Sequence, residues 1–138
     1  MNILVIDAQG GGIGRQVVSA IKKKFPQIII TAVGTNNGAT SAMLKAGADH
    51  TATGENPVVV GCRKADIIIG PIGIVIADSL FGEITHTMAK AISQSRAKRI
   101  LIPINQCDNV VVGVDELNLN KLIACVVDKI EDYVDQSH

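Results

Sequence analysis

An acid followed by a cluster of glycines stands near the start of the chain. Residues 4–18 read LVIDAQGGGIGRQVV, and apolar residues at helical spacing follow the glycines. Glycines between a strand and a helix let backbone N–H groups approach a phosphate, and the helix N-terminus adds partial positive charge. The pattern predicts a site for a small phosphate-bearing ligand in the segment formed by Gly10, Gly11, Gly12, Ile13 and Gly14.

Two charged side chains flank these glycines, and each leaves alternatives open. A carboxylate beside a phosphate repels it, so Asp7 either holds Mg²⁺ or accepts hydrogen bonds from N–H groups of its own loop. Arg15 either neutralises a phosphate from the first helical turn or is simply exposed to solvent. An enzyme that uses Asp7 and Mg²⁺ on a phosphorylated metabolite is therefore one hypothesis for the function.

The spacing of the glycines departs from the common dinucleotide pattern G-x-G-x-x-G, because Arg15 stands at the third glycine. The loop resembles more closely the G-x-x-x-G-x-G loop of short-chain dehydrogenases, with Gly12 and Gly14 in its final part and Ala8 at the leading position. The resemblance covers one loop. The Tyr-x-x-x-Lys of those enzymes has no counterpart, because Ser137 follows four residues after Tyr133.

Three further segments rich in glycine, asparagine or small residues follow predicted strands. Parallel strands end along one edge of a sheet, and ligands bind at that edge where the strand order reverses. The sequence has no Asp or Glu directly after the second strand, where such an acid would bind a ribose. This weakens the prediction of NAD as the cofactor without excluding it. NAD(P) or another nucleotide is the predicted cofactor, with further contacts from Thr35, Asn36, Gly70, Pro71, Gly73 and Asn105.

The elements that must position these loops alternate between apolar runs and helical patterns, as βαβ units do. Residues 109–114, NVVVGV, are predicted to form an edge strand because they arrive late and a closing helix follows them. The prediction is an α/β fold: a single Rossmann-like, three-layer domain over residues 1–138. It has a mainly parallel sheet of about five strands, strand one at its centre, and helices on both faces.

Composition narrows the classes of partner. The chain has 13 basic and 13 acidic residues, so it has no net positive charge that would attract nucleic acid or an anionic membrane. Its longest apolar run, residues 67–77, is too short to span a bilayer, and its N-terminus reads as a strand rather than a leader. We therefore expect a cytoplasmic protein with no nucleic-acid or membrane partner.

Several chemistry-bearing residues have no assigned role at this point. Glu55, Asn56, Asp78 and Glu83 either take part in acid–base chemistry or cap helices and turns, and Cys107 is either a nucleophile or a plain loop thiol. No metal cluster is predicted, since the histidines lack partners at ligand spacing. The apolar segment 70–85 needs burial in the core, in the pocket or against a second copy, which makes a homodimer an expectation.

Over its whole length the sequence resembles an uncharacterised bacterial family of short Rossmann-like proteins, a domain of unknown function. The blocks that carry the resemblance are VIDAQGGGIG, GTN, MLKAGAD, TGEN, DIIIGPIGI, GEIT and ILIPIN. The resemblance implies the fold and a nucleotide-type pocket, and it transfers no activity to any residue. A nucleotide-binding protein with or without a reaction, and a non-catalytic ligand-sensing or assembly module, both remain open.

Overall fold

A computed structural model describes residues 1–104, 109–114 and 118–136 of the chain. Its strands are β1 (Asn2–Asp7), β2 (Ile29–Gly34), β3 (His50–Thr53), β4 (Ile67–Pro71) and β5 (Lys98–Ile102). Its helices are α1 (Gly12–Lys24), α2 (Asn37–Lys45), α3 (Glu55–Lys64), α4 (His86–Gln94) and α5 (Leu119–Gln136). A 3₁₀ turn, Ile72–Val75, follows β4 directly.

The five strands form a parallel sheet in the order β3-β2-β1-β4-β5. Strand β1 is central, and the chain winds outward from it first through β2 and β3 and then through β4 and β5. This is the strand order of the Rossmann fold over its first five strands, with the switch point between β1 and β4. The predicted α/β class, parallel pairing and central β1 are confirmed.

Helices cover both faces of the sheet because successive strand residues point to opposite sides. In β1, Ile3 and Val5 pack into the cluster that contains the apolar faces of α1 and α5, whereas Leu4 and Ile6 pack with α3 and α4. All four side chains are buried, as is usual for a central parallel strand. The result is the three-layer arrangement that the sequence predicts.

Helix α1 follows from an apolar stripe and from signals at its end. Val17, Val18 and Ile21 are buried on the side facing the sheet. Three lysines occupy the last turn, where positive charge complements the helix dipole. Phe25 ends the helix by donating its N–H to the carbonyl oxygen of Ile21 at 2.7 Å, and Pro26 cannot continue it. The glycine segment thus lies at the opposite, positively polarised end of α1.

The prediction of an edge strand at residues 109–114 is wrong. This segment forms a turn in which Val110 and Val112 are 86% and 93% exposed and Gly113 has a φ of +85°. Valine favours a strand only where a pleated neighbour packs against it, and these side chains point into solvent. The fifth strand is instead β3, whose residues His50–Thr53 are polar or small and border the other edge of the sheet.

No helix in the described ranges is both long enough and apolar enough to cross a lipid bilayer.

Candidate functional site

The loops that follow β1 and β2 meet at the C-terminal edge of the sheet. The N–H of Thr35 donates to the carbonyl oxygen of Asp7 at 3.1 Å, and the side-chain amide of Asn36 donates to the carbonyl oxygen of Gln9 at 2.9 Å. The first bond continues the β1–β2 pairing by one residue beyond the end of β2, and the second joins the two loops that follow. Thr35 and Asn36, both predicted as site residues, are thereby brought against the glycine loop.

Asp7 holds the glycine loop from beneath. Its side chain is 4% exposed; Oδ1 accepts the N–H of Ala8 at 2.8 Å and Oδ2 accepts the N–H of Gly14 at 2.6 Å. Burial raises the pKa of Asp7 above its usual value, and these backbone donors offset part of that rise. Of the two roles left open by the sequence, the structure shows the hydrogen bonds to its own loop.

Two of the clustered glycines are required by packing. A Cβ on Gly11 would lie 2.8 Å from the Cα of Ala39 in α2, and the residue has a φ of +73°. A Cβ on Gly14 would lie 2.6 Å from Sδ of Met43 and 2.9 Å from Cβ of Asp7. Because the first contact is with backbone, no rotamer change relieves it. Gly11 and Gly14 therefore let α1 pack closely against α2 and against the end of β1.

The other two glycines have no such explanation. Neither Gly10 nor Gly12 has an atom within 4 Å of the position of a Cβ, and both residues are exposed. No hydrogen bond from their N–H groups to an acceptor within the described ranges is present. Gly12 is the first residue of α1, where N–H groups lack partners inside the helix. The fold leaves both positions open to solvent.

The carboxylate of Glu83 accepts hydrogen bonds from both the loop after β1 and the loop after β2. Glu83 lies after β4 and the 3₁₀ turn, and its Oε1 accepts Nδ2 of Asn36 at 2.7 Å and Oγ1 of Thr35 at 2.8 Å. The N–H of Gln9 donates to both carboxylate oxygens, at 3.2 and 3.1 Å. Partial burial alone would raise the pKa of Glu83, but the bonds from Asn36, Thr35 and Gln9 outweigh it and lower that pKa.

Asn36 is the hub of this network. Its Oδ1 accepts the N–H of Ala39 at 2.9 Å, so the side chain caps α2, and its Nδ2 serves both Gln9 and Glu83. One amide therefore ties the start of α2 to the glycine loop and to the segment after β4. The sequence identifies Asn36 from its place after β2. It leaves Glu83 among the candidates for acid–base chemistry or for capping helices and turns, because the partners of Glu83 are 47 to 74 residues away.

Comparison with protein families places the chain. The model of a domain of unknown function, DUF3842, matches residues 2–135. The chain belongs to this family. The resemblance inferred from the sequence blocks is confirmed, and the family description assigns no activity.

Comparison with curated proteins finds no match. Among solved structures, the chain is similar to the dodecameric FMN-dependent UbiX-like decarboxylase from Escherichia coli O157:H7. The two are 14% identical, the alignment covers 97% of this chain and 94% of the decarboxylase chain, and the TM-score is 0.46.

The predicted contacts at the end of β4 and in the 3₁₀ turn after it, Gly70, Pro71 and Gly73, are buried. A Cβ on Gly70 would lie 2.5 Å from the carbonyl oxygen of Ile6, and one on Gly73 would lie 3.0 Å from Oγ of Ser79. Pro71 is also buried. These residues support the packing of the segment that carries Glu83, and they expose little surface to a ligand. Asn105 and Cys107 lie outside the described residues.

Arg15 is exposed on the first turn of α1. It lines a cavity of about 690 Å³ between α1, α2 and the start of α5, together with Lys23 and Lys45. Gly10 and Gly12 do not line this cavity, although Arg15 is only three residues from Gly12. Arg15 is therefore the residue of this cavity that lies nearest in sequence to the open glycines, on the same first turn of α1 as Gly12.

The remaining acidic candidates make contacts away from the glycine loop. Glu55 begins α3 and accepts Oγ1 of Thr85 at 2.6 Å, while Asp78 lies 3.2 Å from Nε2 of His86 in an exposed pair. Neither contacts the glycine loop. Within the described ranges no group of three or more His, Cys, Asp or Glu side chains is arranged to hold a metal ion.

Proposed function

We propose that the chain binds a nucleotide or dinucleotide through its glycine loop, with a phosphate against the start of α1. The observation that carries the proposal is that Gly10 and Gly12 are glycines for which the fold itself gives no steric reason. Both present N–H groups without acceptors in the described residues. Backbone donors at a helix N-terminus, with no side chain in the way, suit a phosphate.

The charges around the loop favour one orientation of such a ligand. Glu83 lies on the β2 side of the loop, against Thr35 and Asn36, and a phosphate near its carboxylate is repelled. Two unit charges 4 Å apart near a protein surface interact by about 4 kcal/mol. Arg15 follows Gly12 on the first turn of α1. The phosphate would therefore lie toward Gly10, Gly12 and Arg15, away from Glu83.

The role of Mg²⁺ in this proposal is limited. Both oxygens of Asp7 accept backbone N–H groups, and its side chain is buried, so it is a poor ligand for a cation at the surface. The hypothesis of an enzyme built on Asp7 and Mg²⁺ thus has no support in the geometry. NAD(P) and other nucleotides fit the proposal equally, and no reaction is assigned to a side chain.

The experiment measures nucleotide affinity and folding stability together. Wild-type protein is titrated by calorimetry with AMP, ADP, NAD⁺, NADP⁺ and FMN, with and without Mg²⁺, and melting temperatures are recorded. Gly12→Val places a branched side chain where the phosphate must approach, so affinity for the bound nucleotides should fall about 10-fold or more while the melting temperature changes by only about 2 °C. Arg15→Ala should weaken binding less, because it removes one charged donor.

The matched control is Thr87→Val, which introduces the same side chain near the exposed start of α4. It should leave nucleotide affinity unchanged. The proposal fails if wild-type protein binds none of the five nucleotides. It also fails if Gly12→Val and Arg15→Ala both retain wild-type affinity.

A further inference from the structure

We infer that Glu83 accepts a hydrogen bond from a ribose hydroxyl of the ligand, so that the site selects nucleotides with an unsubstituted ribose over ribose-phosphorylated ones. The inference rests on the proposed function and adds a specificity-determining residue to it. It starts from the position of one carboxylate oxygen that the hydrogen-bond network leaves partly free.

The two oxygens of Glu83 are used unequally. Oε1 receives three donors, from Gln9, Thr35 and Asn36, whereas Oε2 receives only the N–H of Gln9 at 3.1 Å within the described residues. A carboxylate has about four acceptor positions in all, two on each oxygen. Oε2 therefore retains capacity for one more donor, and the half-buried side chain leaves it within reach of solvent.

The same network fixes the chemistry of that donor. The bonds from Asn36, Thr35 and Gln9 lower the pKa of Glu83, so the carboxylate is ionised at neutral pH and can only accept. A hydroxyl satisfies Oε2, whereas a phosphate at this position meets the negative charge of the Glu83 carboxylate.

The position of Glu83 suits a contact with the ribose of a nucleotide. In dinucleotide-binding folds an acid after the second strand holds the ribose, and here Gly34, Thr35 and Asn36 stand in that place. Glu83 brings a carboxylate to the same strand end from a segment that follows β4, anchored on Thr35 and Asn36 themselves. A nucleotide with its phosphate at Gly10 and Gly12 would direct its ribose toward this carboxylate.

If Glu83 instead competes with the ligand for the glycine loop, its removal has the opposite effect on nucleotide affinity. Its carboxylate already occupies the N–H of Gln9 in the glycine loop, and a ligand phosphate could displace it there. In that case Glu83 competes with the ligand, and its removal strengthens binding of every nucleotide. The specificity role predicts that removal weakens binding of ribose diols and relieves the exclusion of ribose phosphates.

The test uses paired probes on the whole chain. Wild-type protein is titrated with AMP, 2′-deoxy-AMP and 3′-deoxy-AMP, and with NAD⁺ and NADP⁺. AMP should bind about 10-fold tighter than at least one deoxy analogue, and NAD⁺ about 10-fold tighter than NADP⁺, because a hydrogen bond to a charged group is lost or a like charge is introduced. In Glu83→Gln both ratios should fall to within about 3-fold of unity.

Glu55→Gln is the matched control, since it neutralises a glutamate at the start of α3 that does not contact the glycine loop, and it should keep the wild-type ratios. If wild-type protein binds none of these probes, this inference is overturned; the proposed function also fails if ADP and FMN do not bind either. If it binds AMP and both deoxy analogues equally, the inference alone is overturned.

Tighter binding of all probes to Glu83→Gln also overturns the inference and indicates displacement of the carboxylate. The wild-type comparison of analogues decides the question even if Glu83→Gln does not fold. Thr35→Val then serves as the second variant. It removes one of the three side-chain and backbone donors to Oε1, and it should narrow the AMP to deoxy-AMP ratio.

Discussion

At the scale of single residues, Asp7 shows how the protein uses a buried charge. Its carboxylate joins the end of β1 to the start of α1 through the N–H groups of Ala8 and Gly14, and that bridge sets the geometry of the loop between them. The cost is desolvation, because the side chain is almost completely buried. Two backbone donors offset this cost only in part, which is why the pKa of Asp7 stays above its usual value.

This pKa shift predicts a pH dependence of stability. Because the folded-state pKa of Asp7 lies above the unfolded value of 3.8, the folded protein binds more protons between those two values. The contribution of Asp7 to the free energy of unfolding should therefore decrease as pH rises from about 3.8 through the folded-state pKa, and then level off. Urea unfolding of wild type and Asp7→Asn at several pH values isolates this contribution as the difference between the two curves.

In that comparison the wild-type advantage over Asp7→Asn should shrink with rising pH. A difference that grows with pH would mean that the ionised carboxylate is favoured in the fold, contrary to the burial described above. Carboxylates with lowered pKa values, such as Asp49, titrate in both proteins and cancel in the difference.

At the scale of elements, the glycines of this segment alternate between two environments: some pack against neighbouring elements and the others are exposed to solvent. Gly11 and Gly14 allow α1 to approach α2, whereas a Cβ on Gly10 or Gly12 would meet no atom within 4 Å. The contrast is sharpest between the adjacent residues Gly11 and Gly12. A Cβ on Gly11 would overlap the backbone of Ala39, whereas a Cβ on Gly12 would meet no atom within 4 Å.

We therefore expect opposite outcomes for two neighbouring substitutions. Gly11→Ala forces a side chain onto the backbone of α2 at a φ of +73° and should lower the free energy of unfolding by about 3 kcal/mol, from overpacking and left-handed strain together. Gly12→Ala meets open space at the start of a helix and should change stability by no more than about 1 kcal/mol, in the stabilising direction. Chemical unfolding of both variants checks this, and a comparable loss in the two would contradict the division of roles.

The same scale shows what sequence patterns could predict. β1, β2, β4 and β5 are apolar runs, and α1 has its stripe, so their order and parallel pairing follow from periodicity. β3 escapes detection because the four residues HTAT carry no apolar run and lie at an edge. Residues 109–114 have strand propensity without a strand to pair with. Glu83 could not be placed because its partners come together only after the sheet has formed.

At the scale of the whole molecule, the apolar segment 70–85 is mostly absorbed by the core. Ile74 and Leu80 are 0% and 2% exposed and pack with α4, whereas Phe81 is 94% exposed. Phe81 stands in a turn where Asp78, Leu80 and Phe81 itself all have positive φ values. Such a backbone is strained for non-glycine residues, and here it presents a large aromatic ring to solvent.

The exposed ring motivates a prediction about assembly. We expect a homodimer in which Phe81 is covered by a second copy. Burial of an exposed phenylalanine side chain is favourable by about 1.5–3 kcal/mol, and this free energy would stabilise the dimer. Light scattering after size-exclusion chromatography should show a dimer for wild type and a monomer, or a dimer at least about 10-fold weaker, for Phe81→Ser. Leu44→Ser, a change at a 54% exposed position on α2, is the control and should leave the dimer intact. A monomeric wild-type protein would contradict the expectation.

The central position of β1 also affects how the protein is made. Its first neighbour, β2, follows closely, but its second neighbour pairs Ile3 with Ile67, so one flank of β1 waits while about 60 further residues are translated. At ~5–20 residues per second the ribosome needs roughly 3–12 s for that stretch. During this interval a nascent chain with β1 and β2 paired exposes an apolar strand edge, which is the kind of surface that chaperones bind and that aggregation exploits. The central strand of the sheet is thus the first of the five to leave the exit tunnel, and one of its edges is covered only after β4 has followed.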